Sequence, residues 1–324
     1  MIAAVIDWSL RNRIFVLLAA AAIALLGTLN LDRTRVDALP DLSATQVIIR
    51  TAFANQAPQV VEDQVTYPLA TRLLQVPGAT DVRGYSFYGD SYIYVLFREG
   101  TDPYWARSRV QEYLTESAAA LPQGATPRLG PAASGVGWIY QYALVDRSGR
   151  HDLSDLRSLQ DWFLRFELAA IEGVAEVATV GGMERQYQVV VDPNALRLHG
   201  LTLDRVIAAV RAGNQEVGGS VLELAEAEVM IRGRGYVDAL ADLEHVPLTT
   251  NADGTPLRLG DVAEVRLGPA PRRGVAELDG QGEVVGGIVV MRYGQNAREL
   301  IERIEQRLED LAGSLPDGEI GRAH

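Results

Sequence analysis

The hydrophobic pattern opens on Ile14 to Leu31, IFVLLAAAAIALLGTLNL, which has no charge and only Thr28 and Asn30 as strongly polar members. At about 1.5 Å per residue the run reaches roughly 27 Å, close to the ~30 Å hydrocarbon core of a bilayer. Arg11 and Arg13 precede it, a bias that keeps the N-terminus cytoplasmic and sends the long remainder across. A secretory signal peptide has a shorter apolar core, of about 7–15 residues, and a small-x-small cleavage site. Leu26 to Leu31 offers a poor one. A buried core helix shows a polar face, and none occurs here before Asn30, so an uncleaved anchor is expected. Upstream, Ile2, Val5, Ile6, Trp8 and Leu10 surround Asp7. They make either an amphipathic segment with Trp8 at the membrane surface or a plain helical extension of the anchor.

Past Val36 to Leu42, an extended stretch broken at Pro40, the period changes. Gln46 to Phe53 reads as a strand. Ala57 to Leu74 has helical spacing, and Pro58 suits its first turn. Asp81 to Tyr88 and Ser91 to Phe97 are strands joined at Gly89-Asp90. In the second, Tyr92, Tyr94 and Leu96 alternate with Ile93, Val95 and Phe97, which predicts cover on both faces. Pro103 opens a helix to about Leu121, and Thr126 to Leu129 is a short last strand. The order β-α-β-β-α-β is that of the ferredoxin-like split unit.

The pattern then returns: a strand over Trp138 to Val145, a helix from Asp152 to about Ile171, and a strand pair, Val174 to Val180 and Gln186 to Val191. A helix follows from Pro193. Leu73-x-x-Val76-x-Gly78-x-x-x-Val82 matches Leu168-x-x-Ile171-x-Gly173-x-x-x-Val177. Asp102-Pro103 and Asp192-Pro193 read as matching helix starts, so the chain is read as an internal duplication, with chance similarity between two units of one fold as the alternative. From about Gly182 to Arg266 the second copy is interrupted by a helix (Thr202 to Ala212), by Asn214 to Ser220, by strand-like residues through Arg232, and by a hairpin turn at Asp253-Gly254. The repeat resumes with strands Gly274 to Leu278 and Val284 to Arg292 and a helix from Ala297 to Leu311.

Composition narrows the class. The chain is 48% hydrophobic and 22% charged, which is globular rather than disordered. Its net charge of −12 argues against a nucleic-acid partner. With no cysteine, disulfides, thiolate metal sites and a Cys nucleophile are all excluded.

No catalytic constellation emerges. His151 beside Asp152 and Asp155 fits a helix start, with Asp152 as N-cap and Asp155 at N3, better than a metal site. His199 and His245 stand alone, and Glu223, Glu226 and Glu228 read as a solvated face. Gly280-x-Gly282 precedes a strand and makes no phosphate cradle, while Met183, Met230 and Met291 suit core filling. Arg83 lies inside a strand between Val82 and Gly84, where a guanidinium needs either a partner or a wet cleft. In the insert, Gly218-Gly219 suits a turn, because glycine takes positive φ freely. Val221, Leu222 and Leu224 after it, interleaved with Glu223, Glu226 and Glu228, suit one face packed on a partner; a hairpin folded back on its own domain is the alternative.

Longer motifs carry a resemblance: Asp37 to Ser43 after the apolar helix, Gly100 to Arg107, Gly135 to Tyr140, Asp161-Trp162, and Asn214-Gln215-Glu216. With these the chain resembles the heavy-metal efflux branch of the resistance-nodulation-division (RND) transporters, its copper/silver exporters above all, from the first residues to about Glu319. The resemblance implies an α+β fold: one N-terminal transmembrane helix, then two ferredoxin-like porter units, the second interrupted by a docking insert. The implied division is 1–35 for the lead-in and anchor, 36–132 for the first porter unit, 133–181 with 272–324 for the second, and 182–271 for the insert. It implies a proton/metal-cation antiporter rather than an enzyme, in the bacterial inner membrane with its large domain in the periplasm. The expected partners are two further copies in a homotrimer, a periplasmic membrane-fusion adaptor and an outer-membrane channel. No cofactor is implied, only a transported monovalent or divalent heavy-metal cation.

Arg83 matches an arginine of the family's periplasmic cleft. Gly218, Gly219, Val221, Leu222 and Leu224 fall in the docking region. Metal-gripping and proton-relay residues belong to later parts of the family's chain, so no metal ligand is expected here. Pro271 stands where copper/silver members place a methionine, and Gly321 to His324 departs from the family, as a truncated or frameshifted reading would. The competing expectation is a stand-alone anchored periplasmic binding or adaptor module without transport.

Overall fold

The structure, a computed structural model, describes residues 2–31, 44–224, 227–233, 235–250, 254–271, 274–315 and 320–321. The stretch around Pro40, Glu226, Asp253, Arg272-Arg273 and the last residues from Arg322 lie outside the described residues, as do the side chains of Leu222 and Leu224.

The apolar N-terminus is helical in two pieces, Ile2–Arg11 and Arg13–Leu31. The break falls at Asn12, whose side-chain amide donates to the Trp8 carbonyl at 3.0 Å. Among the described residues no single helix is long and apolar enough to cross a membrane; Val5–Arg11 and Arg13–Leu29 pass that test only together, bent by 98°. The helix Arg13–Leu31 covers the apolar run Ile14 to Leu31.

The chain divides into two compact units. The first comprises residues 1–147, 160–180 and 286–324, and the second 148–159 and 181–285. In the first unit, β1 (Gln46–Ala52), β2 (Ala79–Phe87), β3 (Asp90–Phe97) and β4 (Thr126–Leu129) form a sheet of order β2-β3-β1-β4. All three pairings are antiparallel. Alternation divides its faces. Val47 and Ile49 with Ile93, Val95 and Phe97 point to a core completed by Val61, Val65, Leu69 and Leu73 from one helical stretch and Ala106, Val110 and Leu114 from another. The first stretch, Pro58 to Leu73, carries a π-helical segment at Glu62–Thr66. The second, Pro103–Ala118, begins where Asp102 accepts a bond from the Tyr104 amide at 2.8 Å, satisfying an end N–H that has no helical partner.

The chain then makes β5 (Trp138–Asp146), helix from Leu153 to Ala169 with a π segment at Gln160–Leu164, and β6 (Val174–Gly181). Next come β7 (Arg185–Val191), β8 (Val217–Leu224), β9 (Ala227–Gly233), β10 (Pro247–Thr250), β11 (Pro256–Arg258) and β12 (Ala263–Pro269). The first unit resumes with β13 (Val285–Met291), the helix Ala297–Ala312 and β14 (Ile320–Gly321). Its second sheet has the order β14-β5-β13-β6. Read from its other edge, β6-β13-β5-β14, this is the first sheet's order position for position, with the long excursion between its second and third strands in the chain. The matched segments behave alike. Val76 N donates to Leu73 O and Ile171 N to Leu168 O, at 3.1 and 3.2 Å, and Gly78 and Gly173 both take positive φ, 82° and 99°.

Two expectations are corrected. Residues 174–180 and 186–191 are not a strand pair: β6 joins the four-stranded sheet, while β7 pairs antiparallel with β12. Gly181 and Gly182 lie between them at φ 70° and 66°, a conformation costly for residues with a Cβ. Asp192 does open a helix, accepting from the Asn194 amide at 2.8 Å, but that helix belongs to the second unit. The counterpart of Pro103–Ala118 in the strand order is Ala297–Ala312, which Asn296 precedes.

The second unit holds the β7–β12 ribbon, the hairpin β10–β11, the hairpin β8–β9 and the helices Pro193–Leu198, Leu203–Ala212 and Leu240–Glu244. Its core gathers Val206, Leu243, Val246, Leu248, Leu257, Leu259 and Val262.

Candidate functional site

The outward face of the first sheet concentrates charged and aromatic side chains. Because Val82 packs on the core, Asp81, Arg83, Tyr85 and Phe87 of β2 fall on the opposite face, where Tyr92 and Tyr94 of β3 and Ile48 and Arg50 of β1 continue it. The register sets two rows across the sheet. One runs Arg128, Arg50, Tyr92, Tyr85, and the other Ile48, Tyr94, Arg83. Tyr85 meets Tyr94 edge-to-face at 5.6 Å, and Phe87 meets Tyr92 likewise at 5.8 Å. Such edge contacts suit the aromatic quadrupoles.

Arg83, named from the sequence, donates from Nε to Asp81 Oδ2 at 2.8 Å on an exposed stretch of β2. Each holds the other charged: Asp81 is lowered and Arg83 raised, chiefly by that bond. The strand guanidinium has therefore taken a partner and stays open to water.

At the other end of the face lies a cleft of about 670 Å³ bounded by Arg50, Arg107, Arg128, Arg292, Tyr92 and Glu176, among others; Arg83 is not among its lining residues. Arg50 bonds Asp90 through Nε and Nη2, both 2.9 Å from Oδ1, and its guanidinium sits 5.8 Å from the Tyr92 ring centroid. Asp90 is only 4% exposed, and its bond is the first cause holding Arg50 above the usual arginine range. Arg107 donates to the carbonyls of Gly130 and Pro131 at 2.8 and 3.3 Å, and burial lowers its pKa. Sequence reasoning missed Arg50, although it sits between Ile49 and Thr51 in a strand and carries the signal that singled out Arg83.

The residues expected at a docking contact lie in the second unit. Gly218 and Gly219 do not form a turn. They lie within β8 at a register shift against β9, between Gly218 and Val221, and neither has positive φ. The correction has a physical reason: paired glycines also suit a bulge, where strand geometry is interrupted. Val221 is 46% exposed and faces Met230, 78% exposed, across the hairpin. Leu222 and Leu224 pair by backbone register with Val229 and Ala227.

His151 precedes a helix start. Asp152 Oδ1 accepts from the amides of Ser154 and Asp155, both at 2.8 Å, and Asp155 Oδ2 accepts from the Asp152 amide at 3.2 Å. This is a reciprocal cap. Arg185 Nη2 adds an ion pair to Asp155 at 2.5 Å. Among the described residues no group of three or more His, Asp or Glu could hold a metal ion.

Comparison with known proteins defines the class. Residues 5–320 match the family described as AcrB/AcrD/AcrF, and the chain belongs to that family. It is 57% identical over 317 residues to the cation efflux system protein CusA of Escherichia coli K12 and 55% identical to the putative cation efflux system protein SilA of Salmonella typhimurium. It is 33% identical to the cobalt-zinc-cadmium resistance protein CzcA of Cupriavidus metallidurans. The crystal structure of a heavy metal efflux pump superposes on 98% of the chain with a TM-score of 0.87 at 30% identity. The chain covers about 30% of the length of these curated relatives and 32% of that structure's chain.

Proposed function

We propose that these residues are the N-terminal part of a proton-driven RND pump exporting heavy-metal cations, copper or silver ions by resemblance. The observation that carries the reading is 57% identity across 97% of the chain to a protein named for cation efflux. In this reading the two sheets are ferredoxin-like porter units. The strand orders β2-β3-β1-β4 and β14-β5-β13-β6 support it, because the split β-α-β-β-α-β unit interleaves its strands in this way. The N-terminal helices anchor the pump in the inner membrane, and the sheets stand in the periplasm. Arg83 borders the route of the cation. The β8–β9 hairpin contacts a neighbouring copy in a homotrimer that works with a membrane-fusion adaptor and an outer-membrane channel.

The test is complementation. A complete reading frame containing these residues, expressed with its adaptor and channel in an efflux-deficient host, should restore growth on copper or silver salts. Failure on those and on zinc, cadmium and cobalt, with the protein present in the membrane, would refute the reading and favour an anchored binding module.

A further inference from the structure

The arginine-lined cleft on the first sheet has a chemistry opposite to that of a cation site. Antiparallel pairing of β1 with β4 sets Arg50 directly opposite Arg128. Like charges so placed destabilise a sheet, and only Arg50 is compensated, by Asp90. The Arg128 side chain makes no hydrogen bond or ion pair among the described residues. Arg107 and Arg292 bond backbone carbonyls, the latter from Nε to Val174 O at 2.9 Å. Those neutral acceptors fix the side chains without cancelling their charge. Among the described residues Glu176 is the one carboxylate lining the cleft, against Arg50, Arg107, Arg128 and Arg292. This local excess of positive charge occurs in a chain of net charge −12.

We propose that the cleft binds a multivalent oxyanion, a phosphate or a polycarboxylate. Guanidinium groups present a planar fork of donors that fits two oxygens of such a group at once. Arg107 and Arg292 are held in advance by their carbonyl bonds, which reduces the ordering cost of binding. Arg128 supplies the uncommitted fork, and Tyr92 and Tyr94 give the wall an amphipathic lining. A volume of about 670 Å³ accommodates a small organic anion with its water. An anion seated between Arg50 and Arg128 also relieves the repulsion that their register imposes.

The experiment uses the full-length chain in detergent and phosphate-free buffer, titrated calorimetrically with inorganic phosphate and, separately, with citrate. At least one should bind saturably, and the stronger of the two identifies phosphate or carboxylate as the source. Arg128→Gln should weaken that binding about tenfold or more, the loss of one charge-assisted contact. It should leave thermal unfolding unchanged or slightly improved, because the side chain has no internal bond to lose. Arg128→Lys should recover only part of the affinity, keeping the charge without the fork. Saturable binding of neither anion to the wild type, or equal affinity in Arg128→Gln, would overturn the proposal.

Discussion

At the scale of single residues, the second sheet contains a buried polar pair. Tyr142 Oη donates to Gln160 Oε1 at 2.8 Å, with the two residues 4% and 0% exposed. Burial pushes the phenol well above its usual range, so it stays a neutral donor. A Cβ at Gly287 would overlap the Tyr142 ring. Gly287→Ala should therefore lower stability by about 1–3 kcal/mol through overpacking. Tyr142→Phe should cost about 1–3 kcal/mol by leaving Gln160 Oε1 without its donor, and thermal unfolding of the two variants checks both. Asp152 gives a pH dependence. The Ser154 hydroxyl, with the end amides of the helix and Arg185, lowers its pKa. A lowered folded-state pKa means stability present above the unfolded value, near 3.9, and lost as pH falls through the folded one. Asp152→Ala should cost about 1 kcal/mol near neutrality as a lost cap, and the gap to wild type should close in acid, as unfolding measured from pH 7 to pH 2 would register. The cap was legible in the sequence, because helix starts depend on local spacing. The row Arg128, Arg50, Tyr92 was not, since it exists only once the register of β1, β3 and β4 is set.

At the scale of elements, the first sheet follows the alternation of its strands closely, and Thr126–Leu129 falls where the pattern put it. The second copy was harder to read for a physical reason. Gly181-Gly182 between two short apolar runs carries the positive φ that a hairpin turn demands. Here the same conformation feeds β6 and β7 into different sheets. The partner of β7 lies in residues 263–269, and no local signal announces so distant a pairing. Gly218-Gly219 misled in the reverse sense, because turn and bulge use the same residues. The β8–β9 hairpin still presents Val221 and Met230 together on an exposed face. Single cysteines at Val221 and Met230 in the full-length protein should cross-link to a neighbouring subunit. Assembled trimers in which both remain accessible to a thiol reagent, with no cross-link formed, would remove the hairpin from the subunit interface.

At the scale of the whole molecule, the described residues lack what transport needs. Proton coupling across a bilayer requires ionisable groups within the membrane, paired or lining a wet path. The apolar helix Arg13–Leu31 carries no charge beyond its first residue, and the helix before it meets it at a bend of 98°. One bent helical pair encloses no pathway. The two sheets and the second unit are a scaffold built outside the apolar helices, and among the described residues they add no ionisable group to them. Residues 1–324 expressed alone should therefore confer no metal resistance on an efflux-deficient host, even where they reach the membrane intact. Growth on copper or silver salts comparable to that given by a complete pump, with no other pump protein supplied, would show that coupling groups outside any known bilayer path suffice, and would overturn this division between scaffold and engine.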